Sequence, residues 1–173
     1  MGGGAVPLLT MKRISMLILG LWALPVGAWA RLGETEAQLV ARFGAPTNRT
    51  DEITPAQGKW LVFGRRLYFR QGDWSIQCVV VDERCAKEVY QKPGDWTEDQ
   101  FKAILSSEAQ GARWTDRSQE GVKKLRREWR RADGATALWD TLSGMAVTHP
   151  AYLRAKQRVE EKAKAEASKV PRF

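Results

Sequence analysis

TEAQLVARF at residues 35–43 and TEDQFKAIL at residues 97–105 say nearly the same thing 62 positions apart. Each opens on a Thr followed three residues later by a Gln, the arrangement of a capping box that satisfies the orphan amides of a helix's first turn. Glu36 and Glu98 suit the positive end of the helix dipole. Leu39, Val40 and Phe43 then form one apolar face before Gly44 and Pro46 end the first helix, and Phe101, Ile104 and Leu105 repeat that face in the second. Trp96, just ahead of the second cap, is placed to act as a staple on Phe101.

β-like runs follow each helix. After the first come KWLVFG, RRLYFRQ, WSIQCVVV and CAKEVYQK, with turns expected at Gly64, Gly72-Asp73 and Asp82-Glu83. After the second come KKLRREWRRA and TALWDTL, joined by the strong hairpin signal Asp133-Gly134, and GMAVTHP as an added edge strand before Pro150. The expected fold is α+β: two related units of a short helix plus an antiparallel meander, at 31–92 and 93–150, with the helices on one sheet face. A charged helical tail occupies 151–173.

Residues 1–30 read differently. Lys12 and Arg13 precede ISMLILGLWALPVGAWA, an apolar run that is too short for a comfortable span and ends in small residues, as a secretory signal peptide cleaved after Ala30 does. Met11 makes a better start than the MGGGAVPLLT before it. No Cys follows the apolar run, which argues against a lipid anchor. The remaining 143 residues are enough for one ordinary domain, and the expectation is a periplasmic or secreted protein without an integral membrane segment. In an oxidising compartment Cys78 and Cys85 are expected to form a disulfide rather than a metal or redox pair. A two-residue loop at Asp82-Glu83 puts Val80 opposite Cys85 and Cys78 on the same face one diagonal step away, near the upper limit of disulfide reach.

The formal charge of +8 shrinks on inspection. Without the leader, 26 basic residues face 20 acidic ones, and the tail holds seven Lys or Arg against three Glu, so residues 31–150 carry only +2. Export and this near-neutrality exclude a nucleic-acid partner. The one basic concentration is KKLRREWRR at 123–131, where strand alternation puts Arg127, Trp129 and Arg131 on one face and Arg126, Glu128 and Arg130 on the other. Arg127, Trp129, Arg131 and Trp139 are therefore the candidate binding face, set against a solvated strand that uses its charges to stay soluble. The tail's stripe of Ala151, Ala155, Val159, Ala163 and Ala167 is thin, which predicts a solvated helix outside the core.

Catalytic patterns are missing. The chain's single His, His149, has no clustered ligands for zinc, no Ser sits in a nucleophile elbow, and neither a P-loop nor a dinucleotide fingerprint occurs. Asp51-Glu52 and Asp82-Glu83 read as loop and turn residues. No cofactor, metal or catalytic residue is expected. Asn48-Arg49-Thr50 matches a glycosylation sequon, meaningful only in a eukaryotic secretory pathway.

Thr35, Gln38, Leu39, Phe43, Gly44 and Pro46 give the first unit a resemblance to small envelope proteins of the SmpA/OmlA type, in which a short helix ending in Gly-x-Pro precedes an antiparallel sheet. The doubled arrangement is similar in architecture to the tandem units of the β-lactamase inhibitor proteins. The lipid-accepting Cys is absent here, and the second unit lacks the Gly-x-Pro. What the resemblance implies is non-catalytic protein binding in a bacterial envelope. The expected function is an exported interaction module showing an aromatic and Arg-bearing sheet face to a protein partner. The alternative is a binder of anionic or glycan polymer through the basic Trp/Arg strand and the tail.

Overall fold

Both threonines close their capping boxes in full. The computed structural model describes residues 31–169; the signal-peptide expectation at 1–30 and the tail's last four positions lie outside them. Gln38 accepts from the Thr35 N–H at 2.9 Å and starts α1 (Glu36–Phe43), while Gln100 accepts from the Thr97 N–H at 3.0 Å and starts α2 (Glu98–Ser107). Trp96 stacks on Phe101 with ring centroids 5.4 Å apart, the expected staple.

Eight strands form one antiparallel sheet: β1 (Asn48–Ala56), β2 (Lys59–Gln71), β3 (Trp74–Val81), β4 (Arg84–Gln91), β5 (Trp114–Asp116), β6 (Arg126–Arg131), β7 (Thr136–Asp140) and β8 (Gly144–Thr148). Their order is β1-β2-β3-β4-β8-β7-β6-β5, so α1 leads into one four-stranded meander, α2 into another, and β4 pairs with β8 at the centre. Leu39 and Phe43 of α1 and Phe101 and Ile104 of α2 share one core with Leu67, Phe69, Ile76, Trp129, Trp139 and Val147 on the same sheet face.

Several local expectations change. KWLVFG and RRLYFRQ are a single strand, because the predicted turn at Gly64 is a bulge opposite Glu52 and Ile53. A Cβ on Gly64 would lie 2.8 Å from the Val80 carbonyl oxygen, so no larger residue fits that bulge. Asp51-Glu52 belongs to β1 rather than to a loop. Glu52 is buried there because Arg66 pairs with it at 2.5 Å and the Tyr152 hydroxyl donates to it at 2.7 Å. β8 is central and not an edge strand, because β4 offers it a free side.

The tail also differs from its reading as solvated. His149 caps α3 (Pro150–Ala167), and the predicted stripe seats it on the sheet face opposite α1 and α2. Ala155 is buried there against Val79, Val81 and Ala86, with Tyr152 edge-on to Phe63 at 5.3 Å. Tyr152 supplies the area that the small residues lack. The helices thus lie on both faces of the sheet.

Candidate functional site

Arg127, Trp129 and Arg131 do share a face of β6, as alternation requires, but that face is roofed by α2. Trp129 and Trp139 are each 7% exposed and Arg131 2%. Phe101 lies 5.6 Å from Trp129 and 5.2 Å from Trp139, in a cluster that continues through Trp96 to Trp74. The open aromatic and Arg face is therefore corrected to core: helix α2 needs an apolar floor, and these indoles are it. Arg131 survives burial because its guanidinium reaches Asp133 at 2.7 Å and the Glu108 carbonyl, and lies over Trp114. Arg127 covers Phe101 and pairs with Glu98 at 2.6 Å. Trp129, Trp139 and Arg131 are thus buried, and Arg127 is half-buried with its charge paired.

Beneath α2 the structure assembles a cluster that the sequence did not announce. Cys78 and Cys85 are free thiols, both buried and 4.4 Å apart, in place of the expected disulfide. The two-residue turn at Asp82-Glu83 holds, with φ of 49° and 63°, and Val80 does oppose Cys85. A bulge then follows, so that Cys78 faces Glu88 and remains diagonal to Cys85, a poor geometry for a bridge. Cys85 Sγ donates to Glu88 Oε1 at 3.3 Å, and the Tyr90 hydroxyl donates to Glu88 Oε2 at 2.6 Å. The same hydroxyl lies 3.3 Å from Glu108 Oε1, while Glu108 Oε2 accepts the Leu32 N–H at 2.9 Å.

One phenolic proton cannot serve two carboxylates at once, so the network closes only with a proton on a carboxyl group. Burial, reinforced by Glu108, pushes the Glu88 carboxyl well above the carboxylate range. Burial also raises Glu108, against the hydrogen bonds it accepts, and raises Tyr90 and Cys85 strongly. For Cys78 the hydrogen bond with Cys85 lowers the thiol, but burial and the nearby carboxyls outweigh it.

One exposed apolar face lies elsewhere. The β1–β2 hairpin runs past the end of β3, whose pairing with β2 stops at Arg65. Pairing of Ile53 with Val62 and of Pro55 with Trp60 puts all four on one face of it. Trp60 is 69% exposed, Val62 53% and Ile53 46%. A groove of about 660 Å³ between the start of α1 and Gly64, lined also by Asp51 and Arg65, runs into this face at Val62.

No family model matches the chain, and no curated protein matches it. Among solved structures it is similar to an extracellular protein containing a SCP domain from Bacillus anthracis, at 14% identity and a TM-score of 0.40, over 73% of this chain and 46% of that one. The chain thus spans about half that protein's length, and the likeness assigns neither family nor function. Among the described residues no helix is long and apolar enough to cross a membrane.

Proposed function

We propose that this is an exported interaction module that binds a protein partner through the β1–β2 hairpin. The supporting observation is Trp60, an indole left 69% exposed at the head of an apolar face, in a chain whose neighbouring tryptophans are packed together. Trp is among the residues enriched in binding hot spots, and adjoining exposed apolar side chains mark an interaction surface. Lys59, Arg49 and Arg65 rim that face, and Glu36 and Asp51 only partly balance them. The partner's patch is accordingly apolar with carboxylates at its border. The leader read at residues 1–30 supports an encounter outside the cytoplasm.

The two halves are read as related units joined edge to edge. Two complete capping boxes, each followed by four strands, and a strand order symmetric about β4 and β8 support that reading. Polymer binding through Trp129 and Arg131 has less support, since those side chains are buried, and Arg127 is half-buried and paired with Glu98.

The test is a cross-linked capture from the native envelope at low and high salt, with the mature chain, Trp60→Ala and Arg127→Ala side by side. A discrete protein retained at both salts by the wild type and Arg127→Ala, and reduced at least about tenfold by Trp60→Ala, is the expected outcome. Equal recovery by Trp60→Ala refutes the hairpin. Recovery only at low salt makes charge the binding determinant.

A further inference from the structure

We propose that Cys78, Cys85 and Glu88 form a buried binding site for one divalent cation of the zinc class. The Cys78 and Cys85 Sγ atoms and a Glu88 carboxylate oxygen all lie within 4.8 Å of one another, close to the spacing that ligand atoms keep around a shared tetrahedral ion. Thiolate sulfur selects zinc over magnesium or calcium, and one carboxylate oxygen is an ordinary zinc partner. Two independent features of the fold favour this reading over a set of core thiols. First, two carboxyl groups share the pocket, yet among the described residues neither Glu88 nor Glu108 forms an ion pair with a Lys or Arg. Two buried acids are costly to keep even when hydrogen-bonded and near Arg131, and apolar side chains would fill the space better. Second, the Tyr90 hydroxyl holds Glu88 by Oε2 and leaves Oε1 turned to Cys85, as an outer-shell residue orients a metal-binding carboxylate.

A route in exists. Cys85 lines a cavity of about 240 Å³ between Leu32, Gln110 and His149. Binding replaces the protons of both thiols and of Glu88, so protons leave as one divalent ion enters. The reach between the cysteines across the bulge is the same feature that disfavours a disulfide, so metal and disulfide are competing fates of one thiol pair.

Co²⁺ is added to the reduced, metal-free mature chain, and thiolate-to-cobalt charge-transfer absorption is followed, with Zn²⁺ as competitor. The expected result is one Co²⁺ per chain, displaced by Zn²⁺, with the absorption lost in Cys78→Ser and Cys85→Ser and affinity lowered at least about tenfold in Glu88→Gln. Because a serine variant could fail to fold, proton release and a raised thermal midpoint on adding Zn²⁺ are measured on the unaltered chain. Folded, reduced protein that gives neither absorption nor proton release overturns the proposal. So does absorption that survives either serine substitution in a folded variant. Purification with two hydrogens missing, and no response to metal after reduction, assigns the thiols to a disulfide instead.

Discussion

His149 can cap α3 only while Nδ1 is unprotonated, because that atom accepts the Ala151 N–H at 3.2 Å. Partial burial lowers its affinity for a proton, helped by Arg131 of β6 and Arg154 of α3 and opposed by Asp133. The folded value lies below the unfolded one near 6.5, so the cap's stabilisation is present above that pH and lost as pH falls through the folded value. Denaturant melts from pH 8 to pH 5 should show the native chain losing stability relative to His149→Asn, a competent cap that does not titrate and leaves the opposite contribution of Glu88 and Glu108 unchanged. Asp133, which Arg131 holds down to about 2, titrates too low to imitate the effect. The aromatic residues divide equally sharply. Phe101→Ala should cost about 3–5 kcal/mol in urea unfolding, and Trp60→Ala about 0.5 kcal/mol or less, because only the first is packed. Nothing in the spelling of the two residues separates them: which Trp or Phe is core depends on where α2 comes down.

At the level of elements, what could be read from sequence was local, and what could not be read was shift and partner. Capping boxes, the staple, and the turns at Gly72-Asp73, Asp82-Glu83 and Asp133-Gly134 are written in adjacent residues, and each forms. The thiol and carboxyl cluster was hidden by the bulge in the β3–β4 pairing. Without that bulge, Glu88 and Tyr90 would alternate to the face opposite Cys85. Glu108 did leave a trace, since an acidic residue closing α2 opposes the helix dipole and asks for a reason. β1 was missed because the residues that Asn48–Ala56 buries, Glu52 and Thr54, are polar, and because the stretch carries Pro55, as an edge strand does. Thr35→Ala and Thr97→Ala should each cost about 1 kcal/mol, and the double variant about the sum, as the caps lie in separate helices. Gly144 starts β8 at φ 80°, where an added Cβ would stand 2.2 Å from the Tyr90 carbonyl. Gly144→Ala should cost well over about 1 kcal/mol and raise amide exchange at Lys87–Tyr90, the residues that pair with β8.

Over the whole molecule, α3 ties the chain's end to its first meander. The Tyr152 hydroxyl reaches Glu52, and Thr54 donates to Glu160 at 2.7 Å, so removing residues 150–173 exposes Val79 and Val81 and leaves Glu52 short of a partner. That truncation should destabilise by at least about 2 kcal/mol, whereas a merely solvated tail would cost nothing. With α1 and α2 covering one face and α3 part of the other, Ile53, Trp60 and Val62 stay exposed together on the projecting hairpin, while Val122, Leu125, Leu142 and Leu153 are exposed elsewhere. The most direct test of partner binding there is a photo-cross-linking residue placed at Trp60 in the cellular protein, beside a control at Leu142, which is 94% exposed in the other half of the sheet. A discrete protein adduct from position 60 that is absent from position 142 is the predicted result. No adduct from position 60, or the same adduct from both, would contradict the hairpin as the docking face.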